Sequence, residues 1–275
     1  MSRATDPAPG TAPDTAPDTA PDTAPAGARR RPRVLVVQHQ EDCPPALVGR
    51  WLEEAGVELD VRHPYRGDAL PADLAAHDAL LVLGGSMGAD DDADHPWLAP
   101  TKQLVRTATR AETPVLGVCL GHQLVGRALG GRVDRNPRGQ QVGLLETGWT
   151  AAAADDALVG PVAPGARRGV HWNDDLVVEL PPGAVVLAET PAGEAQVVRH
   201  APGAWGVQLH PEVDAAVVRA WAVGDAERHA ARGVDQAAVI AEVDAARAEL
   251  DAAWRPLAQA FADVAAGDLE AARQR

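Results

Sequence analysis

The 275 residues carry a formal net charge of −14 at pH 7, which argues against nucleic acid or an anionic membrane as a partner, since both demand a basic face. The first 32 residues hold four Arg and four Asp, so the acidity belongs to the remainder. Two cysteines, Cys43 and Cys119, no apolar signal core and no apolar run near twenty residues fit free thiols in a reducing, cytoplasmic setting, not a disulfide framework or a membrane span.

In chain order, residues 11–25 repeat Thr-Ala-Pro-Asp with a four-residue period, a composition that predicts a disordered leader over 1–32. The cluster from Arg29 to Arg33 reads as solvated charge beside a first strand. That strand is the β-branched run VLVV (34–37). A Pro-Pro start then opens an amphipathic helix with Leu47, Trp51, Leu52 and Ala55 on one face, closed by Gly56. VELDVRH (57–63), ALLVLGG (79–85) and PVLGVC (114–119) read as further strands, with helices predicted over 97–111 and 122–130. Alternation of this kind implies βαβ units and a mostly parallel sheet covered on both faces, with function at the strands' C-terminal ends. Between 142 and 209 the pattern becomes short strands, VGLLET, VVLAET, AQVVRH and AWGVQL, divided by Pro-Gly turns; these predict an antiparallel extension of the same sheet. The Ala-rich last fifty residues place Ile240, Val243, Leu250, Trp254, Leu257, Phe261 and Val264 at helical spacing. They predict helices that dock an apolar stripe on their own domain, broken or kinked at Pro256. The expected organisation is a leader (1–32), an α/β domain (33–225) and a C-terminal helical extension (226–275).

The chemistry centres on Cys119, with Gly117 and Gly121 two residues away on either side. A strand that turns abruptly into a helix crowds those two positions and pushes the turn residue outward, which is the nucleophile elbow. A thiol is a useful nucleophile only as thiolate, so it needs a base and something to hold that base. GVQLHPE (206–212) offers both: His210 at the end of an apolar run, and Glu212 reaching back past Pro211. Acyl transfer also needs an oxyanion hole, for which the Leu120 amide is one candidate and the glycine-rich end of the third strand, Gly85 first and Gly84 second, is the other. No metal is expected. Cys119 and His122 form a single pair without a second, and Asp90, Asp91, Asp92 and Asp94 lack the Gly and terminal Glu of a calcium loop. GGSMGA carries no lysine, so no nucleotide site, and no cofactor, is expected.

PVLGVCLGHQL and GVQLHPE together resemble the nucleophile and His-Glu motifs of class I (triad-type) glutamine amidotransferases, and GGSMGADDDADHPWL resembles the loop that closes over substrate in free-standing members, similar to the GMP synthase glutaminase domain. The resemblance covers roughly residues 33 to 225. It implies a flavodoxin-like fold and hydrolysis of the glutamine side-chain amide to glutamate and ammonia through a γ-glutamyl thioester on Cys119. It also implies that Gln123 contacts substrate, that the Gly84 and Gly85 backbone helps hold the glutamine, and that a separate synthase takes the ammonia. Two stretches depart from the family pattern: HWNDDLVVELP, where the middle histidine is either shifted or replaced by Asn173, and Gln141-Val142-Gly143. Glycines 84, 85 and 88 suggest a movable loop, and Asp90 to Asp94 with HWNDD are candidate contacts for a basic partner. Two alternatives stay open: a hydrolase of another γ-glutamyl compound, and a non-catalytic regulatory protein of the same fold, whose usual mark is a lost triad member.

Overall fold

The computed structural model describes Met1 and residues 30–268, so the repeat read as a leader lies outside the described residues, as do residues 269–275. The chain order is β1 (Arg33–Val37), α1 (Ala46–Glu54), β2 (Glu58–Arg62), β3 (Ala79–Val82), α2 (Leu98–Arg110), β4 (Val115–Val118), α3 (Leu120–Ala128), β5 (Arg132–Arg135), β6 (Gln141–Glu146) and β7 (Gly148–Trp149). It continues through β8 (Arg168–Asn173), β9 (Asp175–Glu179), β10 (Val185–Glu189), β11 (Ala195–Ala201), β12 (Ala204–Val207), α4 (Ala215–Gly224), α5 (Ala226–Arg232), α6 (Gln236–Ala245) and α7 (Arg247–Ala265).

The main sheet has the order β2-β1-β3-β4-β12-β11-β10-β7. Strands β2, β1, β3, β4 and β12 pair in parallel, and β11, β10 and β7 add on antiparallel. This is the mostly parallel sheet with an antiparallel extension that the sequence pattern predicts. Its central strands are apolar without alternation because both faces are covered. Within β1, Val34 and Val36 join one core with Leu47 and Trp51 of α1, while Leu35 and Val37 join the other with Leu98 and Leu104 of α2 and Leu124 of α3. Full burial of one such side chain contributes about 1.5–3 kcal/mol.

Three local expectations need correction. VGLLET lies in β6, which pairs over its whole length with β8 in a separate two-stranded ribbon and not with the main sheet. The edge it was expected to extend is occupied by β7. The ribbon instead reaches the main sheet's C-terminal end, where Val170 bridges to His210. The helix expected from His122 begins at Leu120, directly after the elbow. Finally, Pro256 does not break α7, which runs nineteen residues through it. A proline inside a helix costs about 3 kcal/mol, and burial of Trp254, Leu257 and Phe261 around it offsets that loss.

The C-terminal stripe docks on its own chain. Val243, Leu250, Trp254, Leu257, Phe261 and Val264 share a core with Val34 and Trp51, and Ile240 packs against that core. The Trp254 indole donates to the Arg168 carbonyl at 2.9 Å. No helix among the described residues is long and apolar enough to cross a membrane.

Candidate active site

Between β4 and α3, Cys119 adopts φ 52° and ψ −110°, a conformation that costs a non-glycine residue about 1–3 kcal/mol. Its neighbours show why the turn cannot relax. A Cβ on Gly121 would lie 1.9 Å from the Val82 carbonyl oxygen, and one on Gly117 would lie 2.4 Å from the Gly121 carbonyl oxygen. The first turn of α3 is therefore seated directly on the backbone of β3 and β4, and only glycine permits that approach. The Cys119 amide donates to Val207 at 2.8 Å, which ties the elbow to β12 as well. The Cys119 side chain faces a cleft of about 740 Å³ at the C-terminal end of the parallel strands, where open α/β sheets place their ligands.

His210 reaches the same cleft from the end of β12. Its amide donates to the Val170 carbonyl at 2.7 Å, and its Nδ1 lies 2.7 Å from Glu212 Oε1. Both side chains are nearly inaccessible, at 3% and 2% exposure. Burial by itself pushes the His210 pKa down, but the charges and hydrogen bonds of Cys119 and Glu212 outweigh it and raise the value to about 10. The buried Gln208 amide donates toward Cys119 Sγ at 3.7 Å. Motif reasoning does not single out Gln208. A signal for it exists, since two residues before His210 in an extended run is the same face.

The other predicted residues gather around this pair. A Cβ on Gly84 would sit 3.3 Å from His210 Cε1 and 3.6 Å from Cys119 Cβ, so the Gly84 backbone lies against both. Gly85 lines the cleft and packs on Leu120, whose Cδ2 would be 2.9 Å from an added Cβ. Gln123 also lines the cleft, but its amide group is already engaged, donating to the Asp175 carbonyl at 3.0 Å and to Gln208 Oε1 at 3.2 Å.

The loop after Gly85 is braced by contacts within the chain, while Asp90, Asp91 and Asp94 stay exposed. The Gly88 amide donates to Asp91, Lys102 donates to Ala89 O and Asp92, and Arg127 pairs with Asp90. Likewise Asp174 of the HWNDD stretch accepts from Arg228 and Arg232 of α5. The two departures from the family pattern prove to be one feature. Gln141 of β6 stands opposite Asn173 of β8, and the Asn173 amide donates to Gln141 Oε1 at 3.1 Å, while Gln141 donates to Glu194 at 2.9 Å. Both cysteines are free. Burial and the neighbouring Asp42 charge push the Cys43 thiol far above its usual range. Among the described residues no group of three or more His, Cys, Asp and Glu is arranged to hold a metal ion.

With this geometry in view, comparison with known proteins places the chain. The family model described as glutamine amidotransferase class-I matches residues 46–219. The glutamine amidotransferase-like protein YfeJ of Salmonella typhimurium is 30% identical over 183 residues, 66% of this chain and 75% of its own length. A glutamine-hydrolyzing GMP synthase subunit from Halobacterium salinarum is 35% identical over 52% of this chain and 70% of its own length. Gamma-glutamyl peptidase 5 of Arabidopsis thaliana is 30% identical over 51% of this chain and 55% of its own length. Among solved structures, a glutamine amidotransferase from Thermotoga maritima shares the fold with a TM-score of 0.74 at 22% identity, covering 86% of this chain and 98% of that one. The chain belongs to the class-I glutamine amidotransferase family.

Proposed function

We propose that the cleft hydrolyses a γ-glutamyl amide bond, with Cys119 as nucleophile, His210 as general acid and base, and Glu212 holding the imidazole. The Cys119 thiolate attacks the amide carbon, and the backbone amides of Gly85 and Leu120, with Gly84 behind them, stabilise the oxyanion. His210 then gives its proton to the leaving amine and activates the water that releases glutamate from the thioester. The observation that carries this reading is the convergence, at one cleft, of a strained elbow thiol with a buried imidazole fixed at 2.7 Å by a carboxylate. The non-catalytic alternative has less support, since its usual mark is a lost triad member and Cys119, His210 and Glu212 are all retained.

The leading substrate is glutamine, with the ammonia passed to a separate synthase, as the name of the Halobacterium relative suggests. A second reading, release of a larger amine from a γ-glutamyl compound, is favoured by the cleft volume of about 740 Å³. That volume suits a drug-sized ligand better than one amino acid, and a γ-glutamyl peptidase stands among the relatives. The test is glutamate release by the purified chain from glutamine and from γ-glutamyl amines and peptides, with Cys119→Ala as control. Turnover on any of these that survives Cys119→Ala, or none on any with or without copurifying proteins, overturns the reading. The ratio of kcat/KM values separates the two substrates.

A further inference from the structure

The matched family region ends at residue 219, yet the wall of the cleft continues beyond it through Trp221, Gly224, Asp225 and Arg228. Of these, Trp221 has the closest relation to the site. Its ring centroid lies 4.5 Å from that of His210 at an interplanar angle of 57°. It is 7% exposed, and its position is set from two sides. The indole Nε1 donates to the Asp42 carbonyl at 2.8 Å, and the Trp172 ring lies 5.9 Å away. Trp172 is in turn held by its own donation to Asp225 at 2.7 Å. The imidazole is thus held at Nδ1 by Glu212 and packed, at a tilt, against an indole delivered from α4.

We propose that Trp221 is a positioning residue for His210, which makes α4 and the helices packed behind it part of the site. An indole within about 6 Å of a cation favours the charged form, most strongly where water is excluded. Trp221 therefore holds the ring in place and also favours the imidazolium that faces Cys119. The titratable and charged groups around His210 are Cys119 from the elbow, Glu212 from its own turn, and His171 from β8, whose pKa is lowered to about 3 by burial and by the His210 charge. Asp42 and Cys43, and Asp225 and Arg228 beyond Trp221, line the same cleft. Trp221 is the uncharged aromatic contact to His210.

The inference rests on His210 acting as the base, but its test does not need turnover. In the full chain with 15N-labelled histidine, the His210 imidazole is assigned by its loss in His210→Asn and titrated in wild type and variants. Trp221→Met keeps an apolar filler but removes the π face and the indole N–H. It is expected to lower the His210 midpoint by about one pH unit and to reduce kcat about tenfold with a smaller change in KM. Trp221→Phe, which restores an aromatic face and gives up the indole N–H with its bond to Asp42, is expected to recover most of both. A wild-type midpoint in Trp221→Met overturns the proposal, even if the melting temperature falls, because a purely structural role predicts that pattern. Should Trp221→Met fail to fold, Trp221→Leu serves in its place, and equal midpoints in Leu and Phe variants overturn the proposal in the same way. If no γ-glutamyl substrate is turned over by the wild type, the functional reading fails while the titration still decides the role of Trp221.

Discussion

The elbow strain at Cys119 makes a quantitative prediction that reverses the usual ranking of alanine and glycine. At an ordinary position glycine is less stable than alanine by about 0.5–1 kcal/mol through its freedom in the unfolded chain, and a buried methyl adds about 0.8 kcal/mol in favour of alanine. At Cys119 the backbone stands at φ 52°, ψ −110°, outside even the left-handed helical well, so its strain belongs near the upper end of the range of about 1–3 kcal/mol. Alanine keeps that strain and glycine removes it. Taking about 3 kcal/mol of relief against about 2 kcal/mol of loss, Cys119→Gly is expected to be more stable than Cys119→Ala by about 1 kcal/mol, or about 2–4 °C in melting temperature for a domain of this size. Thermal unfolding of the two variants, both expected to be inactive, measures this directly. If the alanine variant melts at or above the glycine variant, the turn stores no usable strain, and the account of how the thiol is held over the sheet is wrong.

His210→Ala is expected to lower kcat/KM about a thousandfold, and Glu212→Gln about ten- to a hundredfold, since the amide keeps an acceptor for the imidazole but loses the charge that raises its pKa; equal rates for wild type and His210→Ala would place the base elsewhere. An activated-halide analogue of glutamine is expected to label Cys119 and spare Cys43, whose thiol burial holds in the unreactive protonated form, and mass spectrometry showing equal labelling would refute this. Acid is expected to unfold the protein early. His39, His171 and His200 have pKa values lowered to about 3 by burial, and His122 is lowered as well, so the unfolded chain binds protons from about pH 6.5 downward that the folded chain refuses. Each such group removes about 1.4 kcal/mol per pH unit, and four together about 5 kcal/mol per unit near pH 5, a large share of ordinary domain stability. His210 has the opposite sign, its contribution being present below 6.5 and lost only as pH rises through about 10, so it does not offset the acid effect. Urea midpoints at pH 7, 6 and 5 that do not change would show that these histidines are not buried neutral.

What can be read along the chain and what cannot divide on a physical line. The strands, the elbow and the order of the two motifs are local: apolar runs in β1, β3 and β4, and glycines two residues either side of Cys119, state their constraint within a few positions. The pairing of β6 with β8 is hidden because RGVHWN offers only Val170 and Trp172 as alternating apolar positions, too short a run to mark a strand, and its strand character comes from β6 and from the bridge to His210. Gln141 and Asn173 look like two unrelated departures because cross-strand register brings together residues thirty-two positions apart. Pro256 looks like a stop because propensity is a local statement, and burial of Trp254 and Phe261 overrides it.

The same division bears on what counts as the site. A residue that acts by touching another residue leaves no mark on its own neighbourhood. Trp221 sits in AAVVRAWAVG as an ordinary helical aromatic, and its proposed role arises only because the chain after β12 brings His210 within ring contact of α4. Asp225 and Arg228 follow the same logic: neither is marked in sequence, and each lines the cleft because the start of α5 is tied to the end of β8, Asp225 accepting from Trp172 and Arg228 donating to Asp174. On the proposed reading the triad motif specifies the bond chemistry, while the chain past residue 219 adds a ring against His210 and lengthens the cleft wall. Relatives that share the motif but differ after it are expected to differ in the part of the cleft wall that Trp221, Gly224, Asp225 and Arg228 line in this chain.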